Sequence, residues 1–184
     1  MPKTFEELMK RIAFALAALA VASPALAASE MIDPETYICA ELAVTGNSFE
    51  APVFEGLQLD GYAAGLAGAP VADAAIIHPI LTQVYDSCSA KPAEKVLAHW
   101  QECRKNVVPN DASPWRADGT TCADYAADED DGSGFVIWLD GYQRAKTGQK
   151  KSVFANQETL DHFLDQCKAA PGRLMYDVMV ENAR

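Results

Sequence analysis

The residues of this 184-residue chain with chemistry to offer are five cysteines, three histidines and a surplus of carboxylates. Cys39, Cys88, Cys122 and Cys167 recur at separations of 49 and 45 positions, with Cys103 left over. Structural zinc takes thiolates in close pairs such as C-x-x-C, with histidines at short fixed spacing. No C-x-x-C occurs, and His78, His99 and His162 lie far apart. A catalytic thiol needs a base beside it. His99 precedes Cys103 by one helical turn, but one such pair is weak ground for catalysis. No Ser-His-Asp set or phosphate loop accompanies it, so the chain reads as a non-enzyme without cofactor or metal. The run Asp128-Glu129-Asp130-Asp131 lacks the alternating ligands and distal Glu of a calcium loop. It reads as a solvated acidic loop.

The compartment decides what the cysteines do. Residues 1–27 have the pattern of a secretory signal peptide. Lys3, Lys10 and Arg11 precede the uncharged run Ile12 to Ala22; Ser23-Pro24 breaks it, and Ala25-Leu26-Ala27 is a small-x-small cleavage site. The run is shorter than the roughly 20 apolar residues of a membrane span. Cleavage after Ala27 and export to a bacterial periplasm are expected. There, recurring cysteines form a disulfide framework. The full chain carries 15 Lys+Arg against 26 Asp+Glu, a net of −11, and loss of the leader leaves 12 against 24. Such a surface disfavours nucleic acid and anionic membranes. With its carboxylates neutral and its histidines charged, the mature chain would carry roughly +15 near pH 2.

The frames around the cysteines repeat. Leu59-Asp60-Gly61-Tyr62 lies between Cys39 and Cys88, and Trp138-Leu139-Asp140-Gly141-Tyr142 between Cys122 and Cys167. The opening cysteine precedes its Tyr by 23 and 20 positions, and the Tyr precedes the closing cysteine by 26 and 25. Each frame then passes through a proline, Pro92 or Pro171, into a last amphipathic segment. Matched order and spacing indicate a duplicated unit and predict the pairs Cys39–Cys88 and Cys122–Cys167. Cys103 is left as a buried thiol or an intermolecular disulfide. In the repeated motif, the Gly suits close helix packing and the Tyr a core position with its hydroxyl at the rim.

Helical periodicity runs through both copies. In the first, Asp33-Pro34-Glu35 opens a short helix carrying Cys39 and Leu42, which Thr45 to Ser48 breaks. A helix from Pro52 to Leu66, one from His78-Pro79 to Cys88 and one carrying Ala93, Val96, Trp100 and Cys103 follow. In the second, Thr120 or Thr121 caps the Cys122 helix. Phe135 to Thr147 forms the next. Asn156 caps a helix with Leu160, Phe163, Leu164 and Cys167 on one face, and Leu174 to Met179 lies on the last. No segment alternates as a half-buried strand does. The expected fold is all-α: two tandem small four-helix domains, each with one inter-helix disulfide, over 28–105 and 119–184, joined by a linker over 106–118. Trp115 in that linker is expected to pack on one of the domains.

These frames resemble the HdeA/HdeB family of periplasmic acid-stress chaperones. The resemblance rests on Thr121-Cys122-Ala123-Asp124-Tyr125, Phe135 to Tyr142, Thr159 to Leu164, Cys167-Lys168 and Pro171. In the first copy it rests more loosely on Cys39-Ala40-Glu41-Leu42, Phe49 to Leu57 and Pro79 to Lys91. The family implies small helical domains with one disulfide, folded and inactive near neutrality. Strong acid opens them into ATP-independent holdases for acid-denatured periplasmic proteins. This chain departs in having two domains and an extra cysteine. Its tandem form suggests a homodimer or an intramolecular pseudo-dimer. The implied client-binding surface is apolar: Phe54, Leu57, Tyr62, Phe135, Trp138, Leu139, Tyr142 and Phe163. With three histidines against 24 carboxylates in the mature chain, any transition is expected below the histidine range.

A different class is also compatible. Small exported helical proteins with a Cys…Gly-Tyr…Cys frame include immunity proteins that bind peptidoglycan-attacking toxins, and Leu59 to Gly65 is similar to that pattern. Such a protein binds one partner at neutral pH and stays folded.

Overall fold

The computed structural model describes residues 31–45 and 52–183. The expected leader, and the break expected at 46–48, lie outside the described residues. Among the described residues, eight α-helices and a short 3-10 turn make up the secondary structure, and no β-strand occurs. The helices are α1 (Cys39–Thr45), α2 (Val53–Ala67), α3 (Ile77–Cys88), α4 (Val96–Cys103), α5 (Cys122–Ala127), α6 (Glu129–Thr147), α7 (Gln157–Ala169) and α8 (Met175–Asn182). The fold is all-α, and the disulfides are Cys39–Cys88 and Cys122–Cys167, with Cα atoms 5.3 and 5.2 Å apart. Each joins the first helix of its half to the third. Closing a loop of this length is worth about 4 kcal/mol on the chain-entropy account.

The two halves share their local hydrogen bonding. Cys39 N–H donates to the Glu94 carbonyl (2.9 Å), Ala40 N–H to Pro92 (2.9 Å) and Val96 N–H to Tyr37 (3.0 Å). Their counterparts are Cys122 to Arg173 (2.9 Å), Ala123 to Pro171 (2.8 Å) and Met175 to Thr120 (3.1 Å). An isolated antiparallel bridge sits at the same place in each half, Ile38 with Lys95 and Thr121 with Leu174. The proline carbonyls thus accept the second N–H of α1 and of α5, and Glu94 and Arg173 accept the first, groups that have no intrahelical partner.

Local chemistry explains the boundaries. Thr121 and Asp124 form a reciprocal capping box at α5, and Asn156 Oδ1 accepts from Thr159 N–H (2.9 Å) at α7. The central helices α2 and α6 end on Gly68 and Gly148 at φ +70° and +68°. Three expectations need correction. Asp33 caps a turn rather than α1: its Oδ1 accepts from Glu35 N–H (3.1 Å), and the helix starts at Cys39. Ala93 lies outside α4, which starts at Val96. The expected acidic loop is mostly helical. α6 starts at Glu129, six residues before Phe135, with Glu129, Asp130 and Asp131 in its first turn. Carboxylates are favoured there by the positive end of the helix dipole.

The most extensive helix contact is α2 against α6, across the halves. Buried side chains of both halves form one continuous core, and the described residues cluster as one unit. The segment expected as a linker is built into that unit. Val71 and Arg116 form an antiparallel bridge, Ala72 N–H donates to the Trp115 carbonyl (2.9 Å), and the Trp115 ring stacks on Phe135 with centroids 5.5 Å apart. No helix among the described residues is long and apolar enough to cross a membrane.

Candidate functional site

The repeated Leu-Asp-Gly-Tyr motifs meet at the α2/α6 crossing. Gly61 and Gly141 let the two backbones touch. A Cβ built on Gly61 would lie 1.9 Å from the Trp138 carbonyl oxygen, and one on Gly141 would lie 2.2 Å from the Gln58 carbonyl oxygen. Side chains larger than hydrogen are excluded by backbone atoms, which have no rotamer to yield.

The aspartates one position earlier are both fully buried, and their surroundings differ. Asp60 accepts the indole N–H of Trp100 (3.0 Å, α4) and of Trp138 (2.9 Å, α6), and pairs with Arg104, whose Nε lies 2.6 Å away. One carboxylate therefore ties α2 to α4 in its own half and to α6 in the other. Burying a charge is tolerable only with this degree of pairing. Asp140 accepts the Val153 backbone N–H (3.1 Å), while its Oδ2 has no hydrogen-bond partner. Gln58, which precedes Asp60 by the same interval as Trp138 precedes Asp140, has neither amide atom hydrogen-bonded. The crossing is satisfied at one aspartate and incompletely satisfied at the other.

Burial raises the Asp140 pKa above its ordinary 3.8, against the opposing Ser152 hydroxyl, Val153 N–H and Arg144 charge. A carboxyl raised in the fold favours the folded state while protonated, and that contribution is lost as pH rises through its folded value. Asp140→Asn removes this loss. Its stability relative to the wild type is expected to improve between pH 4 and pH 7, as read from urea denaturation at both values.

A second set of contacts holds the segment before α1 against the second half. Tyr62 O–H donates to Glu35 Oε1 (2.7 Å), Lys150 pairs with Glu35 Oε2 (3.0 Å), and Arg144 donates to the Ile32 carbonyl (3.1 Å). The Tyr62 hydroxyl and Lys150 hold the Glu35 carboxyl below its ordinary value. Burial, then the Glu35 hydrogen bond, pushes the Tyr62 phenol up to about 12, so it stays a donor. Asp124 is also lowered, by its hydrogen bonds to Thr121.

The residues expected to bind clients form the interior. Leu57, Tyr62, Phe135, Trp138, Leu139, Tyr142 and Phe163 are buried, while Phe54 is half-buried in an edge contact with Phe154. Trp115, Phe135, Trp138 and Tyr142 form a run of stacked rings, and Tyr176 closes it edge-on. The exposed large apolar side chains among the described residues are Val44, Val53, Leu66 and Val108, at separate points of the chain. The implied client surface is therefore covered in this conformation.

Cys103 is free and half-buried, and burial followed by the Glu102 charge pushes its thiol up. That direction suits an inert thiol. His99 Nε2 faces Glu94 Oε2 at 3.0 Å, and a ring nitrogen of His99 lies within 4.8 Å of the Cys39 and Cys88 sulfurs. Those sulfurs are joined to each other, which occupies them as ligands. The Asp60 cluster was not anticipated from the sequence. A carboxylate recurring inside an apolar helix face, with two Trp residues needing N–H partners, was the available signal.

No family model, curated protein or solved structure matches this chain.

Proposed function

We propose that this is an exported, ATP-independent acid-stress holdase, built as two HdeA/HdeB-like four-helix halves fused into an intramolecular pseudo-dimer. The halves are 28–105 and 119–184, and the clients are acid-denatured periplasmic proteins. The observation that carries this reading is the run of aromatic side chains at the junction of the halves, covered in the folded conformation and flanked by ionic contacts. Opening the junction would free a large apolar surface, which is what a holdase needs. The repeated hydrogen bonding around each disulfide supports the duplication, and the residue resemblance supports the family.

Acid supplies the force. The depressed Glu35 and Asp124 contribute stability above their ordinary carboxylate values and lose it as pH falls through their folded values. The net charge swings from −12 in the mature chain to strongly positive, so the compact state repels itself. The disulfides survive acid and limit the opening. Glu35→Gln is expected to lower stability at pH 7 and to flatten its decline between pH 7 and pH 3, measured by urea denaturation.

The function is tested by light scattering of an acid-labile enzyme mixed with the mature oxidised protein. Suppression of aggregation at about pH 2–3 and none at pH 7 supports the holdase. Absence of protection in acid sinks it. Asp140 does not act as the trigger, because burial raises its pKa and its carboxyl therefore favours the fold in acid. The second reading is a protein that stays folded and binds one partner at neutral pH. Capture of one stoichiometric partner at pH 7, without acid protection, would establish it.

A further inference from the structure

A cavity of about 340 Å³ opens beside the aromatic run, where both halves and the segment between them meet. Leu57, Trp115, Phe135 and Trp138 contribute its apolar wall; Asp73 and Asp131 contribute carboxylates, and no basic side chain lines it. The volume is at the small-molecule end of ligand pockets.

Its polar groups are fixed in place. Asp131 Oδ2 accepts the Trp115 indole N–H at 2.6 Å, which sets the Trp115 ring beside Phe135. Asp73 Oδ1 accepts from Ala75 N–H and its Oδ2 from Asn110 N–H, both at 2.9 Å, which ties the 3-10 turn to the connecting segment. Neither carboxylate is paired with a Lys or Arg by these contacts. Each keeps acceptor capacity beyond them, since an ionised carboxylate has about four lone-pair sites.

An aromatic wall beside uncompensated carboxylates selects a ligand by charge and shape together. Anions are repelled, and neutral apolar molecules forgo the carboxylates. An organic ammonium gains from both. The half-buried Trp115 is stacked by one ring, Phe135, which leaves its other indole face for a cation, while Phe135 and Trp138, each stacked by two rings, add apolar contact, and the carboxylates supply Coulomb energy. The chain's net negative charge raises the local concentration of cations further. We infer that the cavity walled by Trp115, Phe135 and Trp138 is a binding site for a small organic cation, an alkylated or arylalkyl ammonium. The site belongs to the folded protein at neutral pH and does not depend on the holdase reading.

The test is titration of the folded, oxidised mature protein at pH 7 and low salt with benzyltrimethylammonium, followed by the indole NMR signals. N-benzylacetamide and phenylacetate serve as neutral and anionic comparators. The cation is expected to saturate, moving the Trp115 and Trp138 signals. The neutral compound should bind at least about tenfold more weakly and phenylacetate not at all, with cation affinity falling as salt is added. Asp131→Asn keeps an oxygen for the Trp115 N–H and removes the charge, and should weaken the cation about five- to tenfold. The cation/neutral comparison and the salt series use wild-type protein, so they hold even if the variant misfolds. No saturable shift with the cation, equal binding of the neutral compound, or a folded Asp131→Asn with unchanged affinity would each overturn the assignment.

Discussion

Replacing Gly61 by Ala should cost about 3 kcal/mol or more, the upper part of the overpacking range. The new methyl would meet the Trp138 carbonyl oxygen at 1.9 Å, so relief requires α2 and α6 to separate along the main contact of the fold. Separation would also stretch the Trp138 indole from Asp60. In a domain of this size the melting temperature should fall by roughly 10 °C. Gly172→Ala is the control, because its Cβ meets no atom within 4 Å. Thermal and urea unfolding of both variants check the ordering. Equal stability of Gly61→Ala and wild type would mean that the helices do not cross at this glycine.

Asp60→Ala should be the second severe change, at about 3–5 kcal/mol, the usual cost of removing one partner from a buried charge pair. It leaves the Arg104 guanidinium, itself 11% exposed, without its counter-charge and orphans two buried indole N–H groups. Asp140→Ala should cost less at pH 7, because burial already disfavours the ionised form there. The comparison by urea denaturation is informative because the two aspartates occupy the same place in the repeated motif. Identical losses would contradict the asymmetry of the crossing.

The difference between these two aspartates marks the boundary of what the sequence could convey. Order and spacing of the four paired cysteines contained the disulfide pairing, and Thr121 and Asn156 advertised their caps because capping is local chemistry. Pro92 and Pro171 were visible as a shared feature, though not as the carbonyl acceptors for α1 and α5. The Asp60 cluster draws Trp100, Arg104 and Trp138 from 40, 44 and 78 positions away. No periodicity encodes such distances. The N-terminus of α6 was obscured because its acidic run and Gly132 read as loop composition. In the fold, Gly132 is a helical position pressed against Trp115 and Tyr125, where a Cβ would come within 2.7 and 2.8 Å. The acidic residues there occupy the first turn of α6, where the positive end of the helix dipole favours them. Trp115 stood out as unusual in a linker, yet its role in joining residues 71–72 to α6 follows only from the tertiary contacts.

These contacts concentrate the functional proposal on one event, the uncovering in acid of the aromatic run at the α2/α6 junction. The most direct measurement follows the intact mature oxidised protein from pH 7 to pH 2 by near-ultraviolet circular dichroism, with apolar-dye binding in parallel. The account predicts a cooperative loss of the aromatic signal in the carboxylate range, below about pH 4.5, with dye binding rising over the same interval and helical signal largely retained. An aromatic signal unchanged down to pH 2, with no dye bound, would show that the junction stays closed in acid and would contradict the holdase assignment.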